Sequence, residues 1–306
     1  MVRAMVPAPD ALPLDRNFDA EPGRPVDVAP GIVRVTAPNA GPYTFTGTNS
    51  FLIGDSRLLV LDPGPRDRGH FDALLRAIGG RKVEAVLLTH THLDHSGLGR
   101  RLAKAVRAPL RFAHGHRLYR QASWLEKLTL SRSCDFGLLP DERIGEGERL
   151  SADGITLSAI ATPGHCENHL AFGVAGTPYL FSGDHVMGWS STVIAPPDGA
   201  MRPYLDSLQK VITLSHTHYL PAHGGPIADG RGFAEALLAH RLYRNEQILD
   251  GLAAGYDMVG RLLRRIYPDL PLNLQPAARK TIEAHLDYLM QSRLVEQLPG
   301  ARYRVL

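Results

Sequence analysis

The sequence predicts an α+β fold, sheets covered by helices, with a small winged-helix-like domain at the C-terminus. Two observations predict the main body. Short strand-like runs alternate with stretches of helical periodicity, and hairpin-like and crossover connections occur together, which calls for sheets with helices packed outside. A third observation predicts the C-terminal domain: after Gly255 the pattern changes to helix faces followed by two short strands.

Taken in order, residues 1–29 are interrupted by Pro7, Pro9, Pro13, Pro22 and Pro25 and lack a basic start before an apolar core. They are expected to form a flexible or surface-hugging arm. Strands are expected at Gly31–Ala37, rich in β-branched residues, at Thr46–Ile53 and at Arg57–Asp62. A helix follows at His70–Ile78, where Phe71, Leu74, Leu75 and Ile78 share one face. Lys82–Leu88 reads as a buried strand, Leu98–Val106 as a helix and Pro109–Ala113 as a strand. Ile155–Ala161, His169–Val174 and Pro178–Phe181 are further strands, and Tyr204–Leu214 and Gly232–Leu252 are helices. The main body thus spans 30–255. In 256–306, Val259, Leu262, Leu263 and Ile266 mark one helix face, and Ile282, Leu286, Leu289 and Met290 another. Strands at Leu294–Leu298 and Tyr303–Leu306 then flank Pro299-Gly300. Roughly 50 residues are marginal for independent stability, so this lobe is expected to pack on the main body.

Composition narrows the function classes. The chain has 306 residues, 44% hydrophobic and 21% charged, which excludes a disordered or fibrous protein. Formal net charge is +3, too weak to demand a nucleic-acid partner. No apolar run is long enough to span a membrane. Two cysteines form no disulfide framework, so a reducing, cytoplasmic location is expected. The oddity is 14 histidines, the side chain most used for metal binding and proton transfer near neutral pH.

Their placement carries the chemistry. His90, His92, Asp94 and His95 follow directly on the strand Lys82–Leu88. Extended-chain alternation points His90 and His92 the same way. Downstream, Thr162-Pro163-Gly164-His165, Ser182-Gly183-Asp184 and Pro221-Ala222-His223-Gly224 each end an apolar run with a ligand-type residue beside glycine. Imidazole and carboxylate suit Zn²⁺ and similar ions, and glycine permits close backbone approach.

HTHLDH, TPGH, SGD and PAHG in this order, with Asp62 in LVLDPG ahead of them, resemble the motifs of the metallo-β-lactamase superfamily. GPYTFTGTNSFLIG at Gly41–Gly54 and HRLYRNEQIL at His240–Leu249 are similar to stretches of its β-lactamase-like protein 2 group, which also carries a C-terminal winged-helix-like domain. The resemblance implies an αββα sandwich and two metal ions, Zn²⁺ first, with Fe or Mn as alternatives. It implies His90, His92 and His165 at one ion, Asp94, His95 and His223 at the other, and Asp184 bridging. A water bridging the two ions would be deprotonated near neutral pH and attack the substrate. Asp94 would also orient this nucleophile and take its proton. Asp62 would orient a ligand from behind. His169, four residues after His165, would donate to substrate or cap a strand.

The resemblance implies a zinc-dependent hydrolase, with a phosphodiester of single-stranded RNA as first substrate. A glyoxalase-II-like thioesterase is the alternative, without a counterpart of that enzyme's basic glutathione-binding signature. Asp184 counts against β-lactam hydrolysis as the main activity, since true lactamases of this fold lack that residue, which leaves promiscuous β-lactam hydrolysis as a further alternative. The full ligand set counts against a single-iron dioxygenase and a non-catalytic nucleic-acid-binding module. Arg117–Leu139 mixes cations with aromatics, which suits a nucleic-acid strand, but the simpler reading is an amphipathic helix with a solvated basic face. In the C-terminal lobe Arg261, Arg264, Arg265, Arg279, Lys280 and Arg293 suit nucleic acid, packing or a homodimer contact equally. Trp189–Gly199 is placed to line a pocket. His114, His116, His185, His216, His218, Cys134 and Cys166 carry no motif role.

Overall fold

A computed structural model describes residues 11–306. β1 (Pro25–Ala29), β2 (Ile32–Thr36), β3 (Asn49–Ile53), β4 (Arg57–Leu61), β5 (Lys82–Leu87), β6 (Leu110–Phe112) and β7 (Glu142–Arg143) form one sheet in that spatial order. β1 to β4 pair antiparallel and β4 to β7 parallel. β8 (Arg149–Ala152), β9 (Ile155–Ala161), β10 (Leu170–Val174), β11 (Tyr179–Gly183) and β12 (His218–Pro221) form a second sheet, antiparallel except for the parallel β11–β12 pair.

Side-chain alternation builds four layers from these sheets. Leu58 and Val60 of β4 point outward, onto a core with Phe71, Leu74 and Ile78 of α1 (Arg68–Ile78). Leu59 and Leu61 point inward, onto Phe172, Phe181 and Leu220 of the second sheet. On the far face, Ala171, Leu180 and Tyr219 meet the helices that follow the second sheet. The αββα sandwich is therefore read directly from which residues share a core.

The connections place the remaining helices. α2 (Leu93–Ser96), a single turn, and α3 (Gly99–Val106) follow β5, and α4 (Trp124–Leu130) lies between β6 and β7. α5 (Met201–Ile212) and α6 (Gly230–Ala253) cover the second sheet with Tyr204, Leu208, Phe233 and Leu237. α7 (Val259–Ile266), α8 (Gln275–Gln291) and the hairpin of β13 (Val295–Leu298) and β14 (Arg302–Val305) form the winged-helix lobe. Ile248, Leu249 and Leu252 at the end of α6 belong to its core, so the lobe does pack on the main body.

One boundary differs from expectation. The last five residues of the expected arm form β1, which pairs with β2. Pro25 has no N–H to donate, which suits an outermost strand. Ahead of β1, Leu12 packs against the core between the second sheet and its helices, and Phe18 lies under the Arg34 guanidinium, 4.6 Å from ring centroid to cation. Residues 1–10 of the expected arm lie outside the described residues.

Candidate metal centre

β5 leads into His90 and Thr91, both buried, and the half-buried His92, after which α2 turns Asp94 and His95 back toward the same point. Asp62, just past β4, holds this turn. It sits at φ +49, in the left-handed region that non-glycine residues rarely adopt. Its Oδ1 accepts from the Thr89 amide (2.7 Å), and its Oδ2 accepts from the Thr89 hydroxyl (2.7 Å) and lies 3.0 Å from His95 Nδ1. The second sheet supplies the rest. His165 follows β9, Asp184 follows β11 and His223 follows β12. Asn49 of β3 secures the last of these loops by donating to the Pro221 and Gly224 carbonyls.

Two groups of donor atoms result: His90, His92, His165 and Asp184, and then Asp94, His95 and His223. In the first, His92 Nδ1 lies 3.0 Å from both His90 Nε2 and His165 Nε2, and Asp184 Oδ2 lies 3.5 Å from His165 Nε2. In the second, His95 Nε2 is 3.4 Å and His223 Nε2 3.3 Å from Asp94 Oδ2. Asp184 reaches this group too, with Oδ2 3.5 Å from His95 Nε2 and Oδ1 3.3 Å from His223 Nε2.

These separations fit metal ions. Four donors at about 2.0–2.1 Å around a tetrahedral ion stand about 3.3 Å apart. His95 Nε2, His223 Nε2 and Asp184 Oδ1 are buried without a hydrogen-bond partner, which folded proteins avoid unless something else satisfies the atoms. The rear nitrogens are held: His90 Nδ1 by the Thr89 hydroxyl at 2.9 Å, His165 Nδ1 by the Val193 carbonyl at 2.9 Å and His223 Nδ1 by the Gly47 carbonyl at 3.2 Å. That arrangement fixes each ring and leaves its front nitrogen for a ligand.

The electrostatics agree. Burial and the neighbouring imidazoles push His90 well below its usual range, keeping it neutral. Burial opposes ionisation of Asp94 and Asp184, but His95 and His223 outweigh it, and both carboxyls fall well below the usual carboxylate range. Burial likewise opposes charge on His223, but Asp184 and Asp94 raise it to about 9. Without metal the cluster neutralises its carboxylates with protons on imidazoles, and cation binding must displace them.

The structure brings the seven expected ligand residues together. His169, expected to donate to substrate or to cap a strand, makes its contacts within the fold. Its Nδ1 pairs with the Thr162 hydroxyl at 2.7 Å, and its Nε2 accepts from the Asp184 amide at 3.1 Å. Neither nitrogen is free to donate to substrate, so His169 fixes the Asp184 backbone. His185 packs on Tyr204 with ring centroids 5.0 Å apart.

Three residues without a motif signal sit beside the first group. Asp198, in the Trp189–Gly199 loop, lies 2.8 Å from His92 Nε2 and 2.9 Å from His116 Nε2. Cys134 Sγ lies 3.7 Å from Asp198 Oδ2. Burial opposes charge on His116, but Asp198 lifts it to about 9. Only the loop position of Asp198 hinted at a role, since its partners are 64 to 106 residues away in the chain.

The Arg117–Leu139 segment also departs from the simpler expectation. α4 buries none of its residues, and Trp124 (73% exposed), Leu125 and Leu128 face solvent, so its apolar side is the uncovered one. Arg120 is paired with Glu126, which also meets Lys280 of α8. The loop after α4 joins the donor cluster, with Leu93 N–H donating to the Ser133 carbonyl and Phe136 edge-on to His116.

Among the described residues no helix is long and apolar enough to cross a membrane. Residues 43–223 match the sequence profile of the metallo-beta-lactamase superfamily, and residues 259–302 that of the beta-lactamase associated winged helix domain. The chain is 26% identical over 270 residues to a Beta-lactamase-like protein 2 homolog of Caenorhabditis elegans, covering 87% of this chain and 86% of that one. It is 29% identical over 238 residues to an atrochrysone carboxyl ACP thioesterase of Paecilomyces divaricatus, covering 77% and 68%. The solved structure of a metallo-beta-lactamase family protein from Thermus thermophilus superposes with a TM-score of 0.75 at 27% identity, covering 92% of this chain and 100% of that one. Since the profile takes in every donor from His90 to His223, and the layers and C-terminal lobe agree with it, the chain belongs to the metallo-beta-lactamase superfamily.

Proposed function

We propose that the protein is a dinuclear metal-dependent hydrolase of a thioester bearing a bulky apolar acyl group. The uncovered apolar face of α4, whose following loop bonds to Leu93 between two donors, carries the substrate assignment, because exposed apolar patches of this kind mark binding surfaces. The thioesterase among its relatives supports it. His90, His92, His165 and Asp184 would hold one ion, and Asp94, His95, His223 and Asp184 the other. Zinc is the first choice on its preference for imidazole and carboxylate, with iron or manganese as alternatives.

Bound divalent ions supply a water that ionises near neutral pH and a charge that polarises a carbonyl. Asp94, whose side chain is 29% exposed, orients the attacking water and takes its proton. The water oxygen bonds to the acyl carbon, the carbon–sulfur bond breaks and its electron pair leaves on sulfur as thiolate. The Trp124, Leu125 and Leu128 side chains seat the acyl group. Replacing Leu128 by Ala should raise KM for a long-chain or aromatic thioester by roughly tenfold, the scale of losing one apolar side chain's burial. Steady-state kinetics on acyl thioesters of increasing length would measure it. A KM independent of acyl size in both proteins would remove this substrate class.

One observation favours the second reading, cleavage of single-stranded RNA. Arg261, Arg264 and Arg279 line a recess of about 360 Å³ on the C-terminal lobe, with Tyr303 and Glu283. If this recess binds phosphates, RNA affinity should fall steeply with salt. Arg264→Ala with Arg279→Ala should then flatten the slope by about one unit per lost contact. No RNA binding at low salt, alongside efficient thioester turnover, would exclude it.

A further inference from the structure

Asp198 is a buried carboxylate between two imidazoles and a thiol, outside the expected ligand set. A carboxylate is costly to bury, so its position needs a reason. One candidate reason is a third metal site, since His92 Nε2, Cys134 Sγ and Asp198 can form a ligand group. The shared use of His92 decides against it, because the ring's Nδ1 already lies in the donor cluster. His92 Nε2 and Asp198 Oδ2 stand 2.8 Å apart, a hydrogen-bond length. With Nδ1 of His92 in the donor cluster, its proton sits on Nε2 and is donated to Asp198 Oδ2. His116 Nε2 faces Oδ1 at 2.9 Å as an ion-pair partner, and the Cys134 thiol donates to Oδ2.

The far side of His116 is held as well. Its Nδ1 pairs at 2.8 Å with the hydroxyl of Thr91, the residue between His90 and His92. Thr91 Oγ1 in turn accepts from Asn168 Nδ2 at 2.8 Å, and Asn168 Nδ2 also donates to the His114 carbonyl. Hydrogen bonds thus run from Asn168 through Thr91 to His116, His116 faces Asp198 as an ion-pair partner, and Asp198 bonds to His92. The other half of the centre has a counterpart in Asp62 on His95.

We infer that Asp198 is the positioning residue of the half formed by His90, His92 and His165: it holds the His92 proton on Nε2, turns Nδ1 to the metal and raises that nitrogen's basicity. This rests on the proposed metal-dependent function. Asp62 does the same for His95, so the two ions are tuned by separate carboxylates.

The test is metal titration of the full-length protein with Zn²⁺ and Co²⁺, following bound equivalents and the visible spectrum of the cobalt form. Asp198→Asn should weaken one equivalent about 10–100-fold, the usual effect of losing such a partner, and leave the other at wild-type affinity. Asp62→Asn should weaken the other equivalent, with a different cobalt spectrum. His116→Leu, which leaves Asp198 in place but removes its support, should weaken the same equivalent as Asp198→Asn by a smaller factor. This milder variant decides the matter if Asp198→Asn fails to fold. Melting the metal-free proteins separates the roles, because a merely structural Asp198 would lower the metal-free midpoint and weaken both equivalents alike. Two equivalents at wild-type affinity in Asp198→Asn, or equal weakening of both, would overturn the inference and leave the hydrolase reading standing. A wild-type protein that binds no divalent ion would overturn both.

Discussion

Asp184→Ala should lose at least one metal equivalent, and turnover should fall by about 10²–10³-fold or more, the scale of removing one group that stabilises developing charge. No other side chain of the cluster reaches both donor groups. Its Oδ2 lies 3.5 Å from both His165 Nε2 and His95 Nε2, and its Oδ1 3.3 Å from His223 Nε2. A carboxylate there offsets repulsion between two cations, and alanine leaves that repulsion uncompensated. The fold should survive, because the bond to His169 comes from the Asp184 backbone amide, which alanine keeps. Elemental analysis and kinetics on one preparation check both halves. Unchanged stoichiometry and turnover would refute the shared role.

Gly164→Ala should damage the same centre through the backbone. Gly164 sits at φ +138, where an L side chain is strained, and a Cβ there would lie 2.3 Å from Tyr204 Cα and 2.5 Å from Tyr204 N. Those are main-chain atoms of α5, so no rotamer change relieves the contact. Strain and overpacking together should cost about 3–5 kcal/mol. The next residue is His165, so the loop cannot retreat without withdrawing a donor. Thermal melting should show a drop of roughly 10 °C, and the metal held through His165 should weaken. A melting point within a degree of wild type, with full metal content, would mean that α5 yields where the packing says it cannot.

The donor residues were legible in the sequence because each ends an apolar run, so a local pattern encodes a shared destination. The layers were legible for a similar reason: Leu58 to Leu61 are all apolar, which suits a strand buried on both faces. Asp198, His116 and Cys134 were not legible. Their contacts join residues 64 to 106 apart, and nothing local distinguishes such an Asp from any other in a polar loop. The role of His169 stayed open because spacing from His165 says nothing about where its nitrogens find partners, and both are taken within the protein. α4 misled in another way. Amphipathic periodicity fixes which residues share a face but not which face is covered, and here the apolar one is open.

The order of strands has a consequence for how the molecule comes apart. The chain completes one sheet before it begins the other, and each donor group draws on both. His92 and His165, with nitrogens 3.0 Å apart, are separated by 73 residues and belong to different halves. A bound ion therefore works as a reversible staple between two successively built halves, closing a long loop much as a covalent cross-link would. Stripping it removes no apolar contact from either half, but it frees the edge where they meet. The first motion of the metal-free protein toward unfolding should be a parting of the two sheets at that edge, with each sheet still intact.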